Sequence, residues 1–211
     1  MKMAELSATT GVPVATIKYY LREGFLRPGI LTSPNQAQYD GEHVRRIRLV
    51  RSLLDVGGMS VAGAGKVLAA IDSDVSLAET FAVAQHTLSE DLDEAKLDPE
   101  ALAAIDAATQ GWNFHPDNPG RLAAAKVLSS FYGIGQKDSR DWFARYARAA
   151  LLAAEADLDE VETREDRTAM AETMVVGTVL GDALFAALRR VAQEHVTSQR
   201  YGSNAPKGSA D

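Results

Sequence analysis

Lys18, Tyr19 and Arg22 lie on one side of a short helical pattern, opposite Val14, Ile17 and Leu21 at steps of three and four. Two cations and a phenol on one exposed face are groups that bind phosphate: Lys and Arg neutralise its charge, and a tyrosine hydroxyl can bond a phosphate oxygen. A second basic set, Arg45, Arg48 and Arg51, steps by three along a later helical pattern, with Arg46 beside it. Such an edge suits contact with a sugar–phosphate backbone, which contributes affinity and little sequence information.

The elements that must carry these residues can be read from the punctuation of the chain. A first helix over about 2–9 ends at Thr10-Gly11, and a second starts near Pro13 and ends at Glu23-Gly24. Two helices joined by so tight a turn form a helix-turn-helix, whose second helix enters a major groove. Pro28, Gly29 and Pro34 forbid helix through Tyr39, and the stretch is expected to be a hairpin with its tip near Ser33-Pro34-Asn35. A third helix is expected over 41–56, with Val44, Ile47, Val50 and Leu54 facing inward. Gly57-Gly58 breaks it, and Ser60 caps a fourth helix whose inner stripe is Val61, Ala64, Leu68 and Ile71.

Charge divides the chain at the same place. Residues 1–71 hold nine Lys/Arg and five Asp/Glu, a net +4, whereas residues 72–211 hold thirteen and twenty-four, a net -11. A basic head on an acidic body implies that the head is the part that meets nucleic acid. There are no cysteines, which excludes disulfides, thiolate metal sites and iron–sulfur clusters. The four histidines, at 43, 86, 115 and 195, are scattered, and neither a metal nor another cofactor is expected. No unbroken apolar run approaches the roughly 18 residues that span a bilayer. The first residues also lack the apolar stretch of a signal peptide. A cytoplasmic protein without membrane contact is the expectation.

Residues 72–200 read as an all-helical domain for dimerisation and effector binding, and 201–211 as a disordered tail. Ser76 and Glu79 form a capping box for a helix to about Leu92, and Asp98-Pro99 opens another to about 110. Helices follow at about 121–132 and 139–156, and the acidic stretch 155–166 reads as a solvated turn. The last helix, about 164–198, carries Met170, Met174, Gly177, Gly181, Leu184, Leu188, Val191 and His195 in alternating steps of four and three, a heptad-like seam. That seam fits either an intramolecular bundle or a dimer interface, and its two glycines would let another helix come close. Trp112, Phe131, Trp142, Tyr146 and Met174 are candidates to line a pocket for a small organic effector, or else to form the core of the bundle. Carboxylates at 90, 91, 93 and 94 and the histidines at 86 and 115 lack any nucleophile motif or phosphate loop around them, so no enzyme is expected.

One family unites the order of elements in the head. The stretch Met3-Ala4-Glu5-Leu6, Thr10-Gly11-Val12, Thr16-Ile17-Lys18-Tyr19-Tyr20, Gly24-Phe25-Leu26 and Pro28 resembles the start of MerR-type regulators. Tyr39-Asp40 after the wing, the Arg-rich third helix and Gly57-Gly58-Met59-Ser60 continue the resemblance to about residue 71. It implies a winged helix-turn-helix head followed here by an all-α domain, so a mainly α protein. It implies a homodimer in which the helix after the head, here from Ser76, pairs antiparallel with its partner; the last helix is the other candidate. It implies binding to an inverted repeat in double-stranded promoter DNA, distortion of that DNA, and engagement of RNA polymerase. Carried over by position, Thr16, Lys18, Tyr19, Tyr20 and Arg22 fall on the recognition helix. Asn35, Gln36, Gln38 and Tyr39 fall on the wing, and Arg45 and Arg46, with Arg48 beyond, on the third helix. Ala15 and Leu21 depart from residues common in the family, and the wing lacks its frequent arginine, so no target sequence transfers. An architectural DNA-binding protein and a ligand-sequestering protein are the alternatives.

Overall fold

A computed structural model of the chain describes residues 1–33, 36–89, 91–138 and 140–202. The Pro34-Asn35 tip of the wing and residues 203–211 of the expected tail lie outside the described residues. Helix α1 (Met3–Thr10) ends on Gly11 in the left-handed region, φ +69°, and α2 (Val14–Arg22) follows after three residues. Glycine adopts that conformation without a β-carbon clash, which is what makes so abrupt a turn possible. Strands β1 (Ile30–Ser33) and β2 (Gln36–Gln38) pair antiparallel, Ile30 opposite Gln38, as the expected wing.

Helix α3 (Gly41–Arg51) starts at Asp40, whose carboxylate accepts the amides of Glu42 at 3.1 Å and His43 at 3.2 Å. The expected single helix to 56 instead passes into a π-helical turn, Ser52–Val56, in which Gly57 N–H reaches back five residues to the Ser52 carbonyl at 3.0 Å. Helix α4 (Val61–Asp72) is capped by the Ser60 hydroxyl, which accepts the Gly63 amide at 3.0 Å. Its buried stripe is Ala64, Val67, Leu68 and Ile71; Val61 is 43% exposed and does not belong to it. The capping box opens α5 (Leu77–Leu88), which stops short of residue 92. A single 3₁₀ turn, Glu94–Lys96, then leads to α6 (Pro99–Ala108), α7 (Pro119–Gly133), α8 (Trp142–Glu162) and α9 (Arg167–Tyr201).

Two expectations in this region need correction. Residues 155–162 are the last two turns of α8: their carboxylates sit on an exposed helix surface, and neither Pro nor Gly interrupts it. The terminal helix runs on to Tyr201, where the disordered tail was expected to begin. That helix also passes by length and composition as one able to cross a membrane, with a mean hydropathy of 1.5 over 18 residues. Its apolar residues are interrupted by Glu172 and Asp182, which hid it from a search for unbroken runs.

Two clusters of buried side chains hold the elements together. The larger contains Leu6, Ile17, Ile47, Leu53 and Leu68 of the head, Ala84 of α5, and Ala171, Val175 and Val179 from the first half of α9. Burying each valine or leucine contributes about 1.5–3 kcal/mol, so the base of α9 is fastened by the same effect that folds the head. The smaller cluster, Ala101, Ala125 and Leu128 with Phe131 and Phe143 against it, joins α6, α7 and α8. Arg121 closes its rim: its guanidinium donates to both Asp106 oxygens at 2.7 and 2.8 Å and to Glu94 at 3.0 Å.

Gly57 sits hard against Val179 of the larger cluster. A β-carbon there would fall far inside the van der Waals contact distance of Val179 Cγ1 and 2.9 Å from the Leu53 carbonyl oxygen. Gly57→Ala is therefore expected to overpack the seat of α9 and cost about 1–3 kcal/mol, read as a lowered thermal midpoint. An unchanged midpoint would mean that α9 yields freely at its base.

Candidate nucleic-acid interface

The head presents its basic groups unevenly, because burial assigns them different work. Lys18 and Arg22 are exposed on α2, and Thr16 and Tyr19 of the same helix are half-buried. The Arg22 guanidinium lies 5.1 Å from the centre of the Tyr19 ring and donates to Glu23 at 3.3 Å. A cation held over an aromatic face loses less side-chain entropy when it meets a phosphate. Tyr20, in contrast, is 4% exposed, and its ring packs 5.8 Å from that of Phe25. Three residues after the buried Ile17, it points into the core, and burial pushes its phenol pKa up. It is a core residue in this structure, contrary to the expectation that it faces DNA.

The wing divides in the same way. Gln36 and Gln38 are exposed on β2. Tyr39 is 8% exposed, its ring edge-on to His43 at 5.1 Å, and its backbone exchanges hydrogen bonds with Met1 at 2.7 and 2.9 Å. It too is a structural residue where a DNA contact was expected. Asn35 lies outside the described residues. The exposed Ile30 and Leu31 of β1 went unnoticed in the sequence, as did the exposed Arg27 between α2 and the wing. Arg27 could have been found by charge alone, since it stands between the recognition helix and Pro28.

On α3, three neighbouring arginines have three fates. Arg48 is exposed. The Arg46 side chain is 17% exposed and donates to the Phe25 carbonyl at 3.0 Å and to Asp72 at 2.6 Å. Burial lowers its pKa, and Asp72 and Glu172 oppose the shift. Arg46 thus ties α3 to the end of α2 and to α4, and is not available to DNA as arranged. Arg45 donates to Glu172 of α9 at 2.8 Å, so a basic residue of the head is held by the body.

The pocket candidates of the body do not converge on one place. Phe131, Trp142 and Tyr146 come together with Phe143: Phe131 meets Trp142 edge-on at 5.2 Å, and Tyr146 lies 6.2 Å from Trp142. Trp112 stands apart after α6, 38% exposed, and Met174 is buried on α9. A cleft of about 540 Å³ opens between α3 and the α8–α9 pair, walled by Arg45, Asp157, Glu160, Arg164, Glu172 and Gly177. Gly177 and Gly181 face the Asp157 side chain of α8 there, and a β-carbon on either would meet it at an ordinary 3.6 Å. A second hollow of about 780 Å³ lies against α7 and includes Leu92, Leu97 and Ser130. No group of metal-binding side chains occurs among the described residues.

A helix-turn-helix with a two-stranded wing and an exposed basic face on its second helix defines a winged-helix DNA-binding protein. The model of the MerR helix-turn-helix family of regulatory proteins matches residues 1–71. The crystal structure of SCO5550, a candidate transcriptional regulator from Streptomyces coelicolor A3(2), is similar along nearly the whole length. It is 34% identical, with 96% of this chain and 99% of that chain covered, at a TM-score of 0.69. No curated protein matches. The chain belongs to the MerR family and is a transcriptional regulator.

The division of labour among the arginines makes distinct predictions. Arg48→Ala should weaken DNA binding and reduce the slope of log affinity against log salt by about 0.9, the share of one phosphate contact. Arg46→Ala should instead lower the thermal midpoint, because it strands Asp72 and a carbonyl, at a cost of about 1–3 kcal/mol. Glu172→Gln should release Arg45 and raise DNA affinity roughly two- to five-fold at low salt, the size of a solvent-screened pair. Equal salt slopes in wild type and Arg48→Ala would place the DNA on another surface.

Proposed function

We propose that this regulator works as a homodimer on an inverted-repeat operator in promoter DNA, acting in the cytoplasm. Two heads related by a two-fold axis present their recognition helices to successive major grooves, about 34–36 Å apart on one face of the duplex. Distorting the intervening base pairs costs of order 1–6 kcal/mol, which the added backbone contacts of the second head offset, and the altered spacing is what RNA polymerase then meets. The observation that carries this reading is the exposure of Lys18 and Arg22 on α2, with Arg48 on α3 and the two glutamines of β2 exposed in the same domain. We assign residues 1–71 to DNA binding and the remainder of the helical chain to dimerisation and response to an effector. No catalytic role is proposed.

For the effector, a small organic molecule, the cleft between α3 and the α8–α9 pair is favoured over the aromatic cluster around Trp142. Its volume falls in the range of ordinary ligand pockets. A ligand there would touch Glu172, the partner of Arg45, and so alter how much of the basic edge of α3 is free for DNA.

The test is a footprint of the purified protein on DNA upstream of its own coding region, at physiological salt with excess competitor. Protection of an inverted repeat with reactive base pairs at its centre is the expected result. Protection that spreads evenly and vanishes under competitor would replace this reading with that of an architectural DNA-binding protein.

A further inference from the structure

The second half of α9 leaves the body. From residue 184 to residue 201 every side chain except that of Ala187 is exposed, a length of roughly 27 Å. Its heptad seam goes out uncovered: Leu184 is 61% exposed, Leu188 56% and Val191 65%. Helix α8 runs back alongside it, Tyr146 and Arg189 in hydrogen bond, and brings the exposed Leu151 and Leu152. Soluble proteins rarely leave so continuous an apolar stripe open.

The charges of this two-helix arm are polarised. Its outer part, residues 142–152 and 185–201, carries five arginines against Glu194, a net +4. Its inner part, residues 153–162 and 167–184, carries seven carboxylates against Arg167, a net -6. The helix that would pair in a family-style dimer, α5, is meanwhile occupied: it packs between α4 and α9 of its own chain, with Thr80 and Ala84 fully buried.

We propose that the arm is the self-association surface of this protein, and that two copies pair antiparallel. The basic outer part of each arm then lies along the acidic inner part of the other, and Leu184 and Leu188, at the junction of the two parts, close on their counterparts across the two-fold axis. Parallel pairing would set +4 against +4, and only the antiparallel arrangement satisfies both halves at once. A bilayer would have to accept Arg189, Arg190 and Glu194 on the exposed half, which a second copy does not. This inference rests on the homodimer reading above and names its surface and polarity.

The experiment uses the full-length chain in sedimentation equilibrium across a salt series. Wild type is expected to be a dimer that loosens as salt rises. Leu184→Glu with Leu188→Glu should be monomeric yet retain its helical circular dichroism, since both side chains are exposed. Arg189→Glu with Arg190→Glu should raise the dimer dissociation constant at least ten-fold, and adding Glu155→Arg with Asp159→Arg should restore it. Within one chain, residue 155 lies about 13 Å along α8 from Tyr146, the partner of Arg189, so rescue reports a contact between copies. A monomeric wild type, an undiminished dimer in the leucine variant, charge reversal without effect or without rescue, or flotation of the protein with neutral phosphatidylcholine vesicles would each overturn the proposal. A footprint separates the two readings: an arm-paired dimer that protects no operator refutes the proposed function alone, whereas a protected operator with a dimer indifferent to the arm refutes only this inference.

Discussion

Everything in this molecule is referred to the burial of the first half of α9 against the head. Ala171, Val175 and Val179 lie in the same apolar cluster as Leu6, Ile17 and Ile47, so the core runs straight across residue 71. Polar contacts then fix the direction of the helix once apolar burial has set its position. Arg167 donates to the carbonyls of Val75 and Ile71 at its start, and Glu172 takes Arg45 one turn later. Because such contacts are directional and the apolar contact is not, the two together hold both the position and the bearing of the helix.

That seat explains how an arginine-rich α3 serves two ends. A guanidinium half-sunk among carbonyls and Asp72 must keep its partners or lose about 1–3 kcal/mol, which commits Arg46 to architecture. Arg48 has no such constraint and keeps its charge for a partner outside the chain. Arg45 stands between the two, exposed enough to reach DNA and close enough to α9 to be held back.

Much of this was legible in residue spacing. Gly11, Pro28, Gly57-Gly58 and the Ser60 and Ser76 caps mark their boundaries because each imposes a backbone conformation that few other residues supply. The site was legible to the level of which elements carry it. Individual side chains were less so: Tyr19 and Tyr20 are identical in type and both rings meet Phe25, and it is the place of Tyr20 three residues after the buried Ile17 that turns it inward. Arg45, Arg46 and Arg48 could not be separated at all, since their partners Glu172 and Asp72 stand far along the chain. The acidic end of α8 misled because charge density indicates solvent exposure, which a helix surface satisfies as well as a loop does.

The length of α9 gives its seat mechanical leverage. Thirty-five residues of continuous helix extend roughly 52 Å, and α8 is the element that runs alongside the outer half. A tilt of about 5° at the Val179–Gly57 contact would carry the far end, roughly 33 Å away, sideways by about 3 Å, close to the rise of one base pair. Displacements too small to disturb the packing of the head are thereby magnified to the scale on which a DNA duplex is measured, and the stiffness of one glycine-lined contact sets how far such movement can go.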